Sequence, residues 1–485
     1  MQMEIDAAAR AARQRRTTHR HTAAPHDSSK PARRIAGPGT PMHRAKALWE
    51  GRKHMRKFTP IAALVALAVL LAACGGDDDN GAAAGGNGAE ASGDPVTLNL
   101  WTFGNFGYDD LIAEYEDDNP NVQIETLIQE FDPHHDALVT SIAAGSGGPD
   151  IAAVEVAFIG AFTNEAESFV NVLDYGAEEI KDDYLDWKWD QATTLDGSAT
   201  IGLPTDVGGM AICYRSDLFE EAGLPTDRDE VSALWENSWE DYIAVGEQYK
   251  EATGRDFIDN EGLLWDAVVN QSPATYYDSD GELIYADSEQ VRFAWDIVVS
   301  ALEAEIDAKT PAWSAEWNAG MNNGDFAVLT CPAWMRGYVQ DQAPDTAGNW
   351  DIATVPEGGG NWGGSHLVIP AQSEHPQEAY DFMSWILAPE QQLRVFEGTG
   401  NFPSTPAVYD EPPMREFSSE FFNDAPLGEI YADNALDVVA QNVGPNYNLI
   451  NQEFGEALNR ISDGLESPDE AWETALDNIA RELGF

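Results

Sequence analysis

From Pro95 onward the hydrophobic positions change period several times. Val96, Leu98 and Leu100 alternate with polar neighbours, the period-two pattern of a strand. Leu111, Ile112 and Tyr115 then share one face of a helix over 108–118, and Val122, Ile124, Leu127 and Ile128 return to a strand. A helix around 135–144, a Gly-rich turn at 145–148 and an apolar strand over 151–156 complete a β-α-β-α-β order. That order predicts a mostly parallel sheet covered on both faces. Further on, Ser238 caps a helix with Trp239, Tyr242, Ile243, Gly246 and Tyr249 at helical spacing, stopped at Gly254. Ser467-Pro468-Asp469-Glu470 reads as a capping box with proline at the first helical position. It opens a last helix carrying Trp472, Leu476, Ile479 and Leu483 on one side. Trp239, Trp295, Trp385 and Trp472 all sit at helical core spacing. The stretch 95–485 is long enough for two domains with sizeable cores, and it contains no internal repeat.

One apolar run lacks a period. Ile61 to Ala73 is thirteen residues long, follows the basic pair Arg56 and Lys57, and ends in small residues before Cys74. This is the layout of a secretory signal. A membrane-spanning helix needs roughly 20 apolar residues, so the run is too short for a permanent span. Leu71-Ala72-Ala73-Cys74 followed by Gly75-Gly76 resembles a bacterial lipobox. The resemblance implies cleavage before Cys74, lipid on that cysteine and a protein tethered to the outer face of the cell membrane. Residues 55–73 are then the signal peptide, and the Gly/Ala/Asp/Asn-rich stretch 74–94 is a flexible tether. Residues 1–54 hold twelve Lys and Arg with almost no periodic apolar face, so they read as a disordered basic extension. A nucleic-acid arm ahead of an export signal has no evident use, so translation is expected to begin at Met55 or Met42.

Charge sharpens the reading. The 27 Lys and Arg and 84 Asp and Glu divide as 14 and 4 before Cys74 and 13 and 80 from there on, a formal net charge of −67. Nucleic acid is thereby excluded as a partner of the processed chain. Such an excess strains the compact state by self-repulsion and suits a salt-adapted host, because the Debye length falls to about 3 Å at 1 M salt. Cys213 and Cys331 remain after Cys74, both in strand-like apolar runs on the oxidising side of the membrane. They are expected to pair in a disulfide between neighbouring strands, with two separate buried thiols as the alternative.

A series of short motifs then runs in consistent order from Val96 to the C-terminus. It comprises Gly104-Asn105-Phe106-Gly107 after the first strand, Gly147-Gly148-Pro149-Asp150-Ile151, and Gly202-Leu203-Pro204-Thr205-Asp206 leading to Tyr214-Arg215-Ser216-Asp217. It continues with Asn323-Gly324-Asp325-Phe326, Cys331-Pro332-Ala333-Trp334, Trp362-Gly363-Gly364-Ser365 and Ile369-Pro370. Together these resemble the extracellular solute-binding proteins, maltose-binding-protein-like, that feed sugar-importing ABC transporters. The resemblance implies an α/β, two-lobe periplasmic-binding-protein-like fold of type II, with a mostly parallel sheet flanked by helices in each lobe and the ligand cleft between them. Crossings of the chain between lobes fall near 204–209, near 361–365 and after 401–409. Lobe 1 is then 95–204 plus about 366–410, and lobe 2 is 205–365 plus about 411–485. The implied partners are a sugar ligand and the membrane permease of an ABC transporter, with a monomer expected and no cofactor.

The residue types fit that chemistry. A sugar presents an apolar ring face and a rim of hydroxyls, which call for flat aromatic side chains beside carboxylates and amides. Candidate ligand contacts are Asn105 and Phe106 after the first strand, Glu155 and Phe158 after the third, and Asp206 at the first crossing. Trp334, Arg336, Trp362, Gly363 and Tyr447 complete the set, the glycine allowing close approach of the backbone. Asp278-Ser279-Asp280-Gly281-Glu282 reads as a hairpin turn, since the later ligands of a calcium loop are absent. His134-His135 reads as a helix start, since a third zinc ligand is absent. There is no Gly-x-Ser-x-Gly, phosphate loop or Cys/His ligand set. Two other classes stay open: a lipid-anchored glycoside hydrolase, and a binder of a non-sugar solute such as a cationic small molecule. Among sugars, the Trp362-Gly363-Gly364-Ser365 and Cys331-Pro332-Ala333-Trp334 motifs resemble those of cellobiose or β-glucoside binders, and the resemblance implies a ligand of that type.

Overall fold

The computed structural model describes residues 95–485. The basic extension, the signal peptide, Cys74 and the tether therefore lie outside the described residues. Among the described residues no helix is long and apolar enough to cross a membrane.

The strands are β1 (Val96–Phe103), β2 (Val122–Gln129), β3 (Ile151–Glu155), β4 (Gly202–Pro204), β5 (Asp206–Val207) and β6 (Ala211–Arg215). They continue with β7 (Asp256–Ile258), β8 (Phe326–Thr330), β9 (Trp350–Thr354), β10 (Ser365–Val368) and β11 (Phe402–Pro403). The first lobe is built on a five-stranded sheet of order β2-β1-β3-β10-β4. β1 pairs in parallel with β2 and β3, while β10 runs antiparallel to both β3 and β4. The second lobe has a four-stranded sheet of order β7-β8-β6-β9, with β7 and β8 parallel and β6 antiparallel to both its neighbours. Each sheet thus holds one reversed strand, and in each case it is the strand that has just arrived from the other lobe. The chain leaves the first sheet at β4 and enters the second at β6, then returns from β9 to β10.

Both sheets are covered on two faces, as the unbroken apolar character of β3 requires. Ile151 and Ala153 face a core with Leu98, Leu100, Leu111, Tyr115 and Phe382. Ala152 and Val154 face Leu138, Ile159 and Phe169 on the other side. In the second lobe, Ile212 and Tyr214 of β6 join a core rich in indoles, including Trp235, Trp239, Trp265 and Trp295. Ala211 and Cys213 join Trp317, Trp350 and Phe422 on the opposite face. Cys213 and Cys331 are disulfide-bonded, with Cα atoms 5.3 Å apart, tying β6 to the end of β8.

Helix ends follow local sequence. Ser238 accepts from the Asp241 amide, and Ser467 with Glu470 forms the reciprocal capping box. The second helix starts at Phe131, four residues before the apolar pattern suggests, because Pro133 lies in its first turn, where the missing N–H costs nothing. β3 stops at Glu155 because that carboxylate turns to cap the helix Val156–Asn164 through the Ala157 amide at 2.7 Å.

The hinge is cross-linked. β5 pairs with β11, and Gly209 bridges to Asn361. Asn361 Oδ1 accepts from the Gly208 amide at 2.8 Å, and the Trp362 amide donates to Gly208 O at 2.9 Å. The lobes also meet away from the hinge. A Cβ on Gly160 would lie 2.7–2.8 Å from three backbone atoms of Gly444, so only glycine permits this approach of the first lobe's helix to the second lobe's 442–446 turn. Val443 packs against cores of both lobes.

Candidate functional site

Between the lobes, the carboxyl end of β3, the two crossing segments and the start of the helix Tyr447–Ser462 converge. The Val156 amide donates to Gly364 O at 3.1 Å, joining the β3 end to the second crossing. Asp206 accepts from Thr205 Oγ1 at 2.5 Å and from the Ser365 amide at 3.0 Å, joining the first crossing to the second. Gly363 and Gly364 both have left-handed backbones, with φ of 88° and 86°. This conformation brings Gly363 against the Trp334 indole and Gly364 against Asp206 and the Lys188 ammonium. Trp334 Nε1 donates to Trp362 O at 3.1 Å, and the two indoles meet edge to face at 5.2 Å.

Two carboxylates come from opposite lobes. Glu155, at the end of β3, has its pKa pushed up to about 7, chiefly by burial, with Asp266 and Asp206 adding and the Ala157 amide and Lys188 opposing. Asp266, on the helix Glu261–Val269, is pushed up to about 6 by burial, against a hydrogen bond from Asn451 Nδ2 at 3.0 Å. Asn451 is held in turn by Trp265 Nε1 at 2.9 Å and Tyr276 OH at 2.6 Å. The Tyr447 hydroxyl donates to Asn270 Oδ1 at 2.5 Å and is raised by burial, with Asp266 and Glu155 contributing. Lys188 is fully buried, with its ammonium donating to Gln191 Oε1 at 3.2 Å. Burial pulls its pKa down to about 8, while Asp206 and Glu155 hold it up. His366 Nε2 donates to Lys188 O at 2.9 Å, which fixes the lysine's backbone at the hinge.

The structure thus brings Glu155, Asp206, Trp334, Trp362, Gly363 and Tyr447 into one interlobe region. The remaining candidates lie elsewhere. Asn105 is exposed and accepts from the Gly107 amide at 2.9 Å, closing its own turn. Phe106 turns inward to pack on Phe103 and Tyr108, because the loop after β1 folds over the core. Arg336 is buried rather than facing the cleft. Its guanidinium donates to Phe396 O at 2.5 Å and lies between the Phe396 and Phe417 rings. Phe158 stacks on His135 at 4.0 Å, and that histidine is held neutral, its pKa pulled down to about 3 mainly by burial. The sequence reading missed Lys188 and Asp266. Each carried a signal: a lone lysine between Trp187 and Trp189, and a lone acid inside the apolar run Leu263-Leu264-Trp265-Asp266-Ala267-Val268. Two surface hollows, of about 370 Å³ beside Trp101 and Thr140 and about 570 Å³ beside Arg292 and Trp472, lie outside this region.

The fold is a pair of α/β lobes joined by crossing strands, with a polar and aromatic seam at the crossings. A family model described as bacterial extracellular solute-binding protein matches residues 110–424, and the chain belongs to that family. The family is extracellular, which places the working part of the chain outside the cytoplasm. The arabinooligosaccharide-binding protein of Halalkalibacterium halodurans is 25% identical over 406 residues, covering 79% of this chain and 88% of its own length. The lactose-binding protein of Rhizobium radiobacter is 25% identical over 332 residues, covering 63% and 73%. A crystal structure of an extracellular solute-binding protein of family 1 superposes with a TM-score of 0.72 at 42% identity, covering 79% of this chain and 98% of that one. An ABC-transporter-associated binding protein from B. animalis subsp. lactis, solved with β-1,6-galactobiose, superposes with a TM-score of 0.69 at 22% identity, covering 81% and 99%.

Proposed function

We propose that this chain captures an oligosaccharide between its lobes and delivers it unchanged to the membrane permease of an ABC importer. The observation that carries the reading is the seam itself. Two indoles, Trp334 and Trp362, stand beside carboxylates contributed by both lobes, Glu155 and Asp266, and by the hinge, Asp206. Rings offer stacking faces for a pyranose, and carboxylates accept from its hydroxyls. A ligand touching both lobes binds the closed state better than the open one and shifts the equilibrium by that difference. Arabinooligosaccharide-, lactose- and galactobiose-binding relatives support the class of ligand. Within it, the tryptophan motifs favour a disaccharide or longer chain of the β-glucoside type. The lobes are 95–204 with about 366–410, and 205–365 with about 411–485. The protein acts as a monomer, carried on lipid at Cys74.

The test is titration calorimetry and a melting-temperature screen over cello-, arabino- and galacto-oligosaccharides, with chromatography of each sugar after incubation. The reading expects one series to bind, raise the melting temperature and be recovered intact. Recovery of fragments would make the protein a glycoside hydrolase. Binding of a cationic solute and no sugar would also overturn the proposal.

A further inference from the structure

Trp313 is a large aromatic side chain with an unfavourable placement. It is 47% exposed, and its backbone is left-handed, at φ 66°, a region that bulky residues rarely adopt. Burial therefore does not explain an indole here, and its backbone is strained. What Trp313 does have is aromatic company. Its ring lies 5.0 Å from Trp317, 5.3 Å from Tyr338 and 6.0 Å from Trp334, the last pair tilted by only 31°. Its neighbours are fixed. Trp317 is fully buried and donates to Asp259 Oδ2 at 2.8 Å, and the Tyr338 hydroxyl donates to Asn318 Oδ1 at 2.9 Å. Ser314 caps the helix Ala315–Asn323 immediately after Trp313, anchoring the strained residue on its C-terminal side.

The indoles Trp362, Trp334 and Trp313 thus form a continuous aromatic path, with successive centroids 5.2 and 6.0 Å apart. It leads from the hinge seam to the protein surface. Beside its outer end stands Tyr338, which senses a charge of the first lobe. The Tyr338 phenol is raised by burial and by the carboxylate of Glu130, which belongs to the first lobe's loop after β2. Next to Glu130, Phe131 is 39% exposed. The outer end of the path thus stands on the second lobe within electrostatic reach of Glu130 on the first, and it is continuous with the seam through Trp334.

We infer that Trp313 is the platform of an outer subsite, on which a sugar unit beyond the first two stacks, so that the ligand is a chain of three or more units projecting from the cleft. This rests on the reading of the seam as a sugar site. An exposed indole kept rigid by neighbouring rings loses little freedom when a pyranose face covers it, which makes stacking efficient.

The experiment measures affinity of the purified protein and of Trp313→Ala and Trp313→Phe for cello-, arabino- and galacto-oligosaccharide ladders from two to five units, together with melting temperatures. For the series that binds, wild-type affinity should rise beyond the disaccharide. In Trp313→Ala the ratio of tetrasaccharide to disaccharide affinity should fall by up to about tenfold, the scale of one aromatic stacking contact. Trp313→Phe should keep most of that ratio, and the melting temperature of the ligand-free Ala variant should not drop. A ratio preserved in Trp313→Ala, or a wild type that binds the disaccharide as tightly as longer chains, overturns the outer subsite and leaves the seam intact. Absence of binding to any ladder overturns both.

Discussion

The Gly160–Gly444 approach turns closure into something a single methyl group can oppose. Gly160 is buried in the middle of the helix Val156–Asn164 of the first lobe. Gly444 belongs to a turn bolted to the second lobe through the Asn442 amide on Pro273 O at 2.9 Å and the Asn446 amide on the Tyr277 hydroxyl at 2.9 Å. In Gly160→Ala, the new Cβ would stand 2.7 Å from Gly444 O and 2.8 Å from Gly444 C and N. Carbon contacts favour about 3.5–4.0 Å, so the lobes must part by roughly 0.7–1 Å here, giving up part of every contact around the point. Overpacking of this kind costs about 1–3 kcal/mol, and the cost should fall on the closed state, in which the two lobes meet. Replacing a mid-helix glycine by alanine also gains about 1 kcal/mol of helix propensity, but open and closed states share that gain. Ligand affinity should therefore fall about 5- to 150-fold, while the ligand-free melting temperature holds or rises. Calorimetry with the tightest-binding sugar, melting curves and the ligand-induced decrease in radius of gyration by X-ray scattering read all three quantities. Gly444→Ala is a poorer probe, since its Cβ would strike the Tyr277 ring at 2.5–2.7 Å inside its own lobe. Unchanged affinity and unchanged compaction in Gly160→Ala would refute the reasoning.

Three other outcomes follow from buried charge and covalent structure. Asp259 and Asp307 are almost fully buried, Asp259 pushed up to about 7 by burial and Asp307 raised by burial and by Glu261. The folded chain then holds protons that the unfolded chain has released, so stability should fall as pH rises from about 4 through about 7. Asp307→Asn should flatten that fall in melting temperature, and an unchanged slope would show that Asp307 titrates normally. Reducing Cys213–Cys331, which closes a sequence separation of 118, should cost about 3–5 kcal/mol of unfolding free energy in denaturant titrations, and a loss near zero would contradict it. With a net charge of −67 from Cys74 onward, the melting temperature should climb between 0.1 and 1 M salt as the Debye length shrinks from about 10 to about 3 Å, whereas a flat profile would remove the case for salt adaptation.

Local structure was legible wherever the signal was local. The alternation at Val96, Leu98 and Leu100, the Ser238 cap with its Gly254 stop and the Ser467 capping box all appear where the sequence placed them. The turn at Asp278 does too, its carboxylate accepting from the Asp280 and Glu282 amides at 2.9 Å. The family order of motifs suggested a return of the chain near 361–365, but not that β10 inserts between β3 and β4, a pairing that periodicity cannot show. Site membership was harder. Phe106 and Phe158 occupy loop and helix positions that look equally fit for a cleft or a core, and only the packing on Phe103 and His135 decides. Arg336, two residues after Trp334, stood among the candidate ligand contacts. Its actual partners, Phe396 O and two phenyl rings, come from a segment sixty and more positions away. Asp266 was hidden by abundance, since any one of eighty carboxylates could have been the one facing Glu155.

Those carboxylates also give the clamp a pH-dependent bias whose sign can be worked out. Glu155 and Asp266 belong to different lobes: Glu155 reaches about 7, chiefly by burial with Asp266 contributing, Asp266 reaches about 6 by burial, and Tyr447 feels both. Opening the lobes separates the pair and admits water, which returns both groups toward the ordinary carboxylate range near 4. The closed state consequently binds protons more tightly than the open one. Acidification from pH 8 to pH 5 should shift the ligand-free protein toward closure, seen as a smaller radius of gyration. Lys188, at about 8, and Asp206, raised by burial, also stand beside Glu155, so the share of the Glu155–Asp266 pair is read from a variant. Glu155→Gln keeps an oxygen for the Ala157 amide while removing the charge, and it should abolish most of the pH-dependent compaction. A compaction curve identical in Glu155→Gln would mean that the lobes close without regard to this pair. The same logic bears on the ligand: neutral hydroxyls can satisfy such acceptors in either protonation state, whereas a carboxylate-bearing solute would add a like charge to Glu155, Asp206 and Asp266, which the Lys188 ammonium beside them offsets in part.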